Sequence, residues 1–147
     1  MIQRKQTLFL LAVIIIAFLM LFVPFQYYND SKLSWGITLL PGLSFLVANS
    51  NLWFPIILNF LIVTVGLFTI FKFNNRPLQY KLSNLLLLLN IFITGLFFLL
   101  TFINHENGLI TFSFGAFLPI IGAIFAFLAA RFIKKDEDLV RNSDRIR

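Results

Sequence analysis

Few side chains in this sequence carry chemistry, and their spacing limits what that chemistry can be. The only histidine, His105, stands beside Glu106. Such a pair can begin a metal site or an acid–base couple. A metal site needs three or four ligands, and apart from the acids at 136–144 the only other carboxylate is Asp30. General acid–base catalysis also needs a partner group in defined geometry, so the pair reads as a solvated loop pair. The chain has no cysteine, which removes disulfides, thiolate catalysis and cysteine-based metal sites. Asn29-Asp30-Ser31 fits a glycosylation acceptor, a three-residue pattern that is common by chance. No catalytic, cofactor-binding or metal-ligating residue is assigned, and the chain is not expected to be an enzyme.

A second set of polar groups lies inside apolar runs: Asn59, Thr64 and Thr69 in one, Ser83, Asn84, Asn90 and Thr94 in the next. On helices, Asn90 lies roughly 12 Å and Thr64 roughly 10 Å from the short loop joining the two runs. The two are therefore expected to meet across an antiparallel pair, with Asn59 bonded elsewhere. They could bind a polar substrate or hold the helices together, at about 0.6 kcal/mol per hydrogen bond. No charge accompanies them, which favours the second role. Gly122, Ala126 and Ala130 recur every four residues, with Ala123 and Ala129 beside them. Small residues at that spacing let helix backbones approach closely, within one bundle or between subunits. Replacing Ala126 with Leu should weaken that contact.

These groups must be positioned by elements made almost wholly of apolar residues. The 147-residue chain is 59% hydrophobic and 12% charged, with a mean hydropathy of +0.90. A water-soluble fold needs more polar surface than this. Four apolar segments, at about 7–23, 54–71, 82–102 and 116–132, each approach the ~20 residues that cross ~30 Å of hydrocarbon. Backbone in lipid must satisfy its own hydrogen bonds, so all four should be helices. The expected class is an all-α membrane protein: one four-transmembrane-helix bundle over residues 1–147, with a tail at 133–147. Arg4, Lys5 and the apolar run after them resemble a signal peptide, but Val-Pro-Phe-Gln-Tyr-Tyr lacks a small-residue cleavage pattern. The run is read as an uncleaved first span. No span holds Asp, Glu, Lys, Arg or His away from its ends, and the prolines sit near helix ends. Coupled transport is therefore disfavoured, with a passive role in a larger pore left open.

The basic residues give an orientation. Arg4, Lys5, Lys72, Arg76, Lys81, Arg131, Lys134, Lys135, Arg141, Arg145 and Arg147 fall on one side, and only Lys32 on the other. That asymmetry places both termini and the middle loop in the cytoplasm. It also explains the net charge of +6 without nucleic acid. Tyr27, Tyr28, Trp53 and Phe54 then mark the outer boundary and Tyr80 the inner one. In the outer loops, 26–53 and 103–114, Leu33, Trp35, Ile37 and Leu39 alternate with Ser34, Gly36 and Thr38, and residues 109–114 are rich in strand formers. The two loops either pair as a small β-element or lie as irregular chain in the interface, and 43–47 could form a short interfacial helix.

Arg131, Lys134, Lys135, Arg141, Arg145 and Arg147 form a cytoplasmic basic anchor. The tail can continue as a helix, with Glu137 and Arg141 four apart, Lys134 and Asp138 likewise, and an apolar stripe of Phe132, Leu139 and Ile146. Three readings are open: a segment lying on anionic headgroups, a dock for a partner, or a solvated tail that enforces topology.

The two ends of the chain carry its most particular sequence: Met1-Ile2-Gln3-Arg4-Lys5-Gln6-Thr7-Leu8, the GAFLP run at 115–119, Ala129-Ala130-Arg131, and the run from Lys135 through Asp136-Glu137-Asp138-Leu139-Val140-Arg141-Asn142-Ser143-Asp144-Arg145-Ile146-Arg147. With them the chain resembles a small inner-membrane family of Bacteroidota, the domain-of-unknown-function family DUF4293, whose members are sometimes labelled transcription termination factor Rho. The resemblance implies a bacterial inner membrane and four helices, and it supplies no catalytic or binding residues. The Rho label finds no support, because a helicase needs a GxxxxGK[ST] loop and the chain has none. The resulting expectation is a non-enzymatic accessory or scaffold subunit without cofactors. Its partners would be the lipid bilayer and a membrane protein or further copies of itself. The alternative is a small-molecule or lipid-binding, transport-related protein with a site near Asn59, Asn90 and the outer loops.

Overall fold

A computed structural model describes residues 5–23, 26–30, 33–37, 53–73, 75–103 and 109–144. Its elements are α1 (Lys5–Phe22), β1 (Gln26–Asp30), β2 (Leu33–Ile37), α2 (Trp53–Phe71), α3 (Arg76–Ile103), β3 (Leu109–Phe112) and, after a 3₁₀ turn at Phe114–Phe117, α4 (Leu118–Asp144).

Each helix buries one narrow stripe. In α1 the buried residues include Gln6, Leu10, Val13, Ala17 and Met20; in α2, Asn59, Ile62, Gly66 and Thr69. In α3 they are Gln79, Ser83, Leu86, Asn90, Ile93 and Phe97; in α4 they include Gly122, Ala126, Ala129 and Ile133. The intervals alternate between four and three, the pattern that keeps one seam of a helix against its neighbours in a left-handed bundle. α1 packs on α2 and α4, and α3 packs on the same two, so the helices follow chain order round the bundle and close on themselves. Outside the seams the surface is apolar: Leu8, Leu11, Ile15 and Phe18 on α1, and Ile120, Ile124 and Phe127 on α4, are among the exposed residues. Lipid tails match such a surface, whereas water does not. Three of the four helices described, at Phe54–Phe71, Arg76–Leu99 and Phe114–Arg141, are long and apolar enough to cross a membrane. The apolar part of α1, Gln6–Phe22, is shorter.

One helix boundary departs from the sequence reading. α3 begins at Arg76 rather than near 82, because Asn75 caps it: its Oδ1 accepts the Leu78 N–H at 3.2 Å. Pro77 falls in the first turn, where a missing N–H costs nothing. α4 runs past its apolar segment, which ends near 132, to Asp144, as the helical pattern of the tail allowed. After Pro119 it contains one glycine and no proline, and the stretch KKDEDLVR is rich in helix formers. Polarity ends the apolar segment there without ending the helix.

The two long connections meet in a three-stranded sheet of order β2-β1-β3, antiparallel throughout. Tyr28 stands opposite Trp35 on one side and Ile110 on the other. The pairing thus runs through β1, a strand the alternation pattern did not single out; β2 is described over Leu33–Ile37, and Thr38 and Leu39 lie outside the described residues. The Phe98 and Phe112 rings, 5.8 Å apart, hold β3 to the end of α3. The possible helix at 43–47 and the pair His105–Glu106 lie outside the described residues.

Candidate functional site

The polar side chains of the seams come first, since an apolar bundle concentrates its specific interactions there. Asn90 is 1% exposed. Its Nδ2 donates to Leu86 O at 2.8 Å, and its backbone carbonyl accepts from Thr94 Oγ1 at 2.7 Å. Across the interface sits Gly122: a Cβ built there would stand 2.5 Å from Asn90 Oδ1 and 3.6 Å from Ile16 Cγ2. Asn90 and Gly122 therefore belong to one contact where α1, α3 and α4 converge, and the glycine is what leaves room for the amide.

Thr64 has no part in that contact. It is exposed, and its hydroxyl donates to Phe60 O of its own helix at 2.8 Å. The expected Asn90–Thr64 pairing is thus corrected to Asn90–Gly122. Thr64 lies two residues from both Ile62 and Gly66, which turns it ~200° from the seam of α2.

Asn59 is fully buried, with its Nδ2 3.7 Å from Met20 Sδ and its Oδ1 without a partner among the described residues. Nearer the α2–α3 turn, Gln79 Nε2 donates to Thr69 O at 3.3 Å while Gln79 Oε1 is unpartnered among the described residues. Thr69 and Ser83 donate to carbonyls one turn back in their own helices, Val65 O at 2.6 Å and Gln79 O at 2.9 Å. Ala126 and Ala130, like Gly122, are buried within the chain.

The other end of the bundle holds contacts that sequence reasoning missed. Gln6 Nε2 donates to Phe132 O at 3.3 Å and to Asp136 Oδ2, while Arg76 Nη1 donates to Asp136 O at 2.9 Å. The Phe9 ring stacks on Phe132 at 5.3 Å, and Ile133 is fully buried. The first turns of the tail are thereby fastened to α1 and α3, which a purely solvated tail would not be. The signal was present: stepping back four residues along the seams from Leu10 and Ser83 lands on Gln6 and Gln79.

Arg131, Lys134, Lys135 and Arg141 are exposed, and Arg145 and Arg147 lie outside the described residues. Along the exposed side of α4, Arg131, Phe132, Lys134, Lys135, Asp138 and Leu139 line an open groove of ≈ 460 Å³. Among the described residues no three of His, Asp and Glu lie together where a metal ion could be held.

With this geometry in view, comparison with protein families matches residues 2–146 to a domain of unknown function, DUF4293. The chain belongs to the DUF4293 family. A comparison with curated proteins finds no match. What this DUF4293 chain does must accordingly be argued from its own side chains, and these offer two kinds of feature. One is a set of buried amides and hydroxyls that set helix contacts; the other is a cationic groove where the apolar part of α4 ends.

Proposed function

We propose that this chain is a multi-pass protein of the bacterial inner (cytoplasmic) membrane, crossing it four times with both termini cytoplasmic. It acts as a non-enzymatic accessory or scaffold subunit for a membrane-protein partner or for further copies of itself. The observation carrying this reading is how each helix is divided. Buried polar groups on α1, α2 and α3, and small residues on α4, lie on one narrow seam of each, while only about a third of each long apolar span is buried in the chain. The outward faces are free to meet lipid or other helices. The 18 residues of α1, roughly 27 Å long, support a fourth crossing. The bias of Lys and Arg toward one end supports the orientation. No ionisable group lies mid-span, which speaks against coupled transport.

One observation favours a second reading, a small-molecule or lipid-binding protein: Asn59 Oδ1 is buried and unpartnered among the described residues, as a ligand acceptor would be. Purification in mild detergent followed by native mass spectrometry separates the two. Stoichiometric protein partners or a homo-oligomer support the scaffold, and a retained small molecule supports the second reading. A bare monomer would sink both. The absence of cysteine makes orientation directly testable: Arg141→Cys should be shielded from an impermeant thiol reagent in intact spheroplasts, and Asn29→Cys should be labelled.

A further inference from the structure

We propose that the groove on α4 holds the phosphate of an anionic phospholipid, with an acyl chain lying along Ile120, Ile124 and Phe127. The inference rests on the membrane-spanning reading; a phospholipid lost with the groove's lysines belongs to this site, and a molecule kept by that variant belongs to the second reading above.

Depth is the first argument. From Phe114 to Arg131 the 3₁₀ turn and helix rise roughly 28 Å, close to the ~30 Å of the hydrocarbon layer. Arg131 therefore emerges where the hydrocarbon ends. Lys134 and Lys135 stand ~4.5–6 Å further along, inside the ~5–7 Å headgroup layer on that side.

Direction is the second. Arg131, Lys134, Lys135, Asp138 and Leu139 follow one another at helical spacing and share one face. Ile133, fully buried, and Asp136, bonded to α1 and α3, take the opposite face. The cationic face runs straight back into the apolar span through Phe127, Ile124 and Ile120, all exposed. An apolar strip leading into cations at headgroup depth is complementary in shape and charge to a lipid with a negative headgroup. Charge agrees: three cations against Asp138 leave 3 − 1 = 2 positive charges in the groove. The one carboxylate lies ~10 Å beyond Arg131, past the phosphate level.

The full chain is reconstituted in phosphatidylcholine vesicles with and without phosphatidylglycerol, then extracted gently, and the retained lipid is read by native mass spectrometry. The wild type should retain phosphatidylglycerol in preference to phosphatidylcholine. Lys134→Gln with Lys135→Gln should cut that preference roughly tenfold or more. Arg141→Gln, on α4 but outside the groove, should leave it within about twofold. Equal retention of both lipids, an equal loss with Arg141→Gln, or displacement by inorganic phosphate would each overturn the proposal. So would a co-purifying protein that is lost with the double variant. Alkaline extraction tests the spanning reading separately. A chain washed off the vesicles refutes spanning, while one that stays but shows no lipid preference refutes only the lipid site.

Discussion

Substituting Gly122 by Ala tests the central contact of the bundle. The added Cβ would stand 2.5 Å from Asn90 Oδ1 and 3.3 Å from its Cγ, distances that force the amide to move, whereas Ile16 at 3.6 Å is an ordinary neighbour. The amide is held by its bond to Leu86 O. Turning it loses a hydrogen bond of about 0.6 kcal/mol in a membrane setting, and overpacking adds about 1–3 kcal/mol. Against this, Ala gains about 0.8–1 kcal/mol over Gly in helix propensity. The net expectation is destabilisation by roughly 1–2 kcal/mol. With Asn90→Ala in the background the obstruction is gone and only the propensity gain is left, so the same substitution should become stabilising. The two effects differ by roughly 2–3 kcal/mol, the coupling expected of residues in contact. Gly95 supplies the control. Nothing lies within 4 Å of a Cβ placed there, and Gly95→Ala should stabilise slightly in both backgrounds. Reversible unfolding in mixed micelles, followed by circular dichroism, measures all of these. A Gly122→Ala penalty that is unchanged when Asn90 is Ala would show that the glycine answers to some other neighbour, and the Asn90–Gly122 argument would fall.

Asn59→Leu should raise the melting temperature, since it replaces a buried amide whose Oδ1 has no partner with an apolar group of similar size, a gain of about 1–3 kcal/mol. A fall would mean that the amide has a bound companion, and would strengthen the ligand-binding reading. Gln6→Ala should speed hydrogen exchange at 132–140 while leaving 120–128 unchanged, because it removes the side-chain bonds from α1 to Phe132 and Asp136. Equal exchange in both proteins would show that the tail is held without Gln6. Ala126→Leu forces extra carbons into a site that is 0% exposed, and stability should fall by about 1–3 kcal/mol. An unchanged melting temperature would deny that position a packing role.

Hydropathy made the apolar helices legible but gave them no direction. A run such as LSNLLLLLNIFITGLFFLL is apolar nearly all round, so its periodicity does not say which face turns inward. Direction came instead from small and polar residues. Gln79, Ser83 and Asn90 sit on the same four-three seam as Leu86 and Ile93, the reverse of a soluble helix, where polar groups mark the outside. Gly122, Ala126 and Ala130 are legible as small residues fit for close packing. Thr64 has the depth along the axis for a pairing with Asn90 but not the angle about it, which depth alone does not reveal. Partners were harder to read, because Asn90 could be matched to Gly122 only once α3 was known to lie beside α4. β1 escaped because QYYND lacks alternation, and a central strand answers to neighbours on both edges more than to its own pattern.

On the spanning reading proposed above, the tail carries one local restraint to the membrane surface. Cations at the end of an apolar helix bias orientation wherever they point, but a specific headgroup site needs them held at fixed angles. α4 supplies that by continuing as one helix through the boundary, so that the rotation of its last turns is set by the seam below. Gln6 and Arg76 hold Asp136 on the inner side, and Ile133 is buried there as well. With 3.6 residues per turn, that choice leaves Arg131, Lys134 and Lys135 on the opposite side, in line with Phe127 and Ile124. The contacts at Asp136 and the groove are therefore one device. The buried side of the last turns fixes the helix, and the exposed side presents its charges on a single bearing, within about 6 Å of depth.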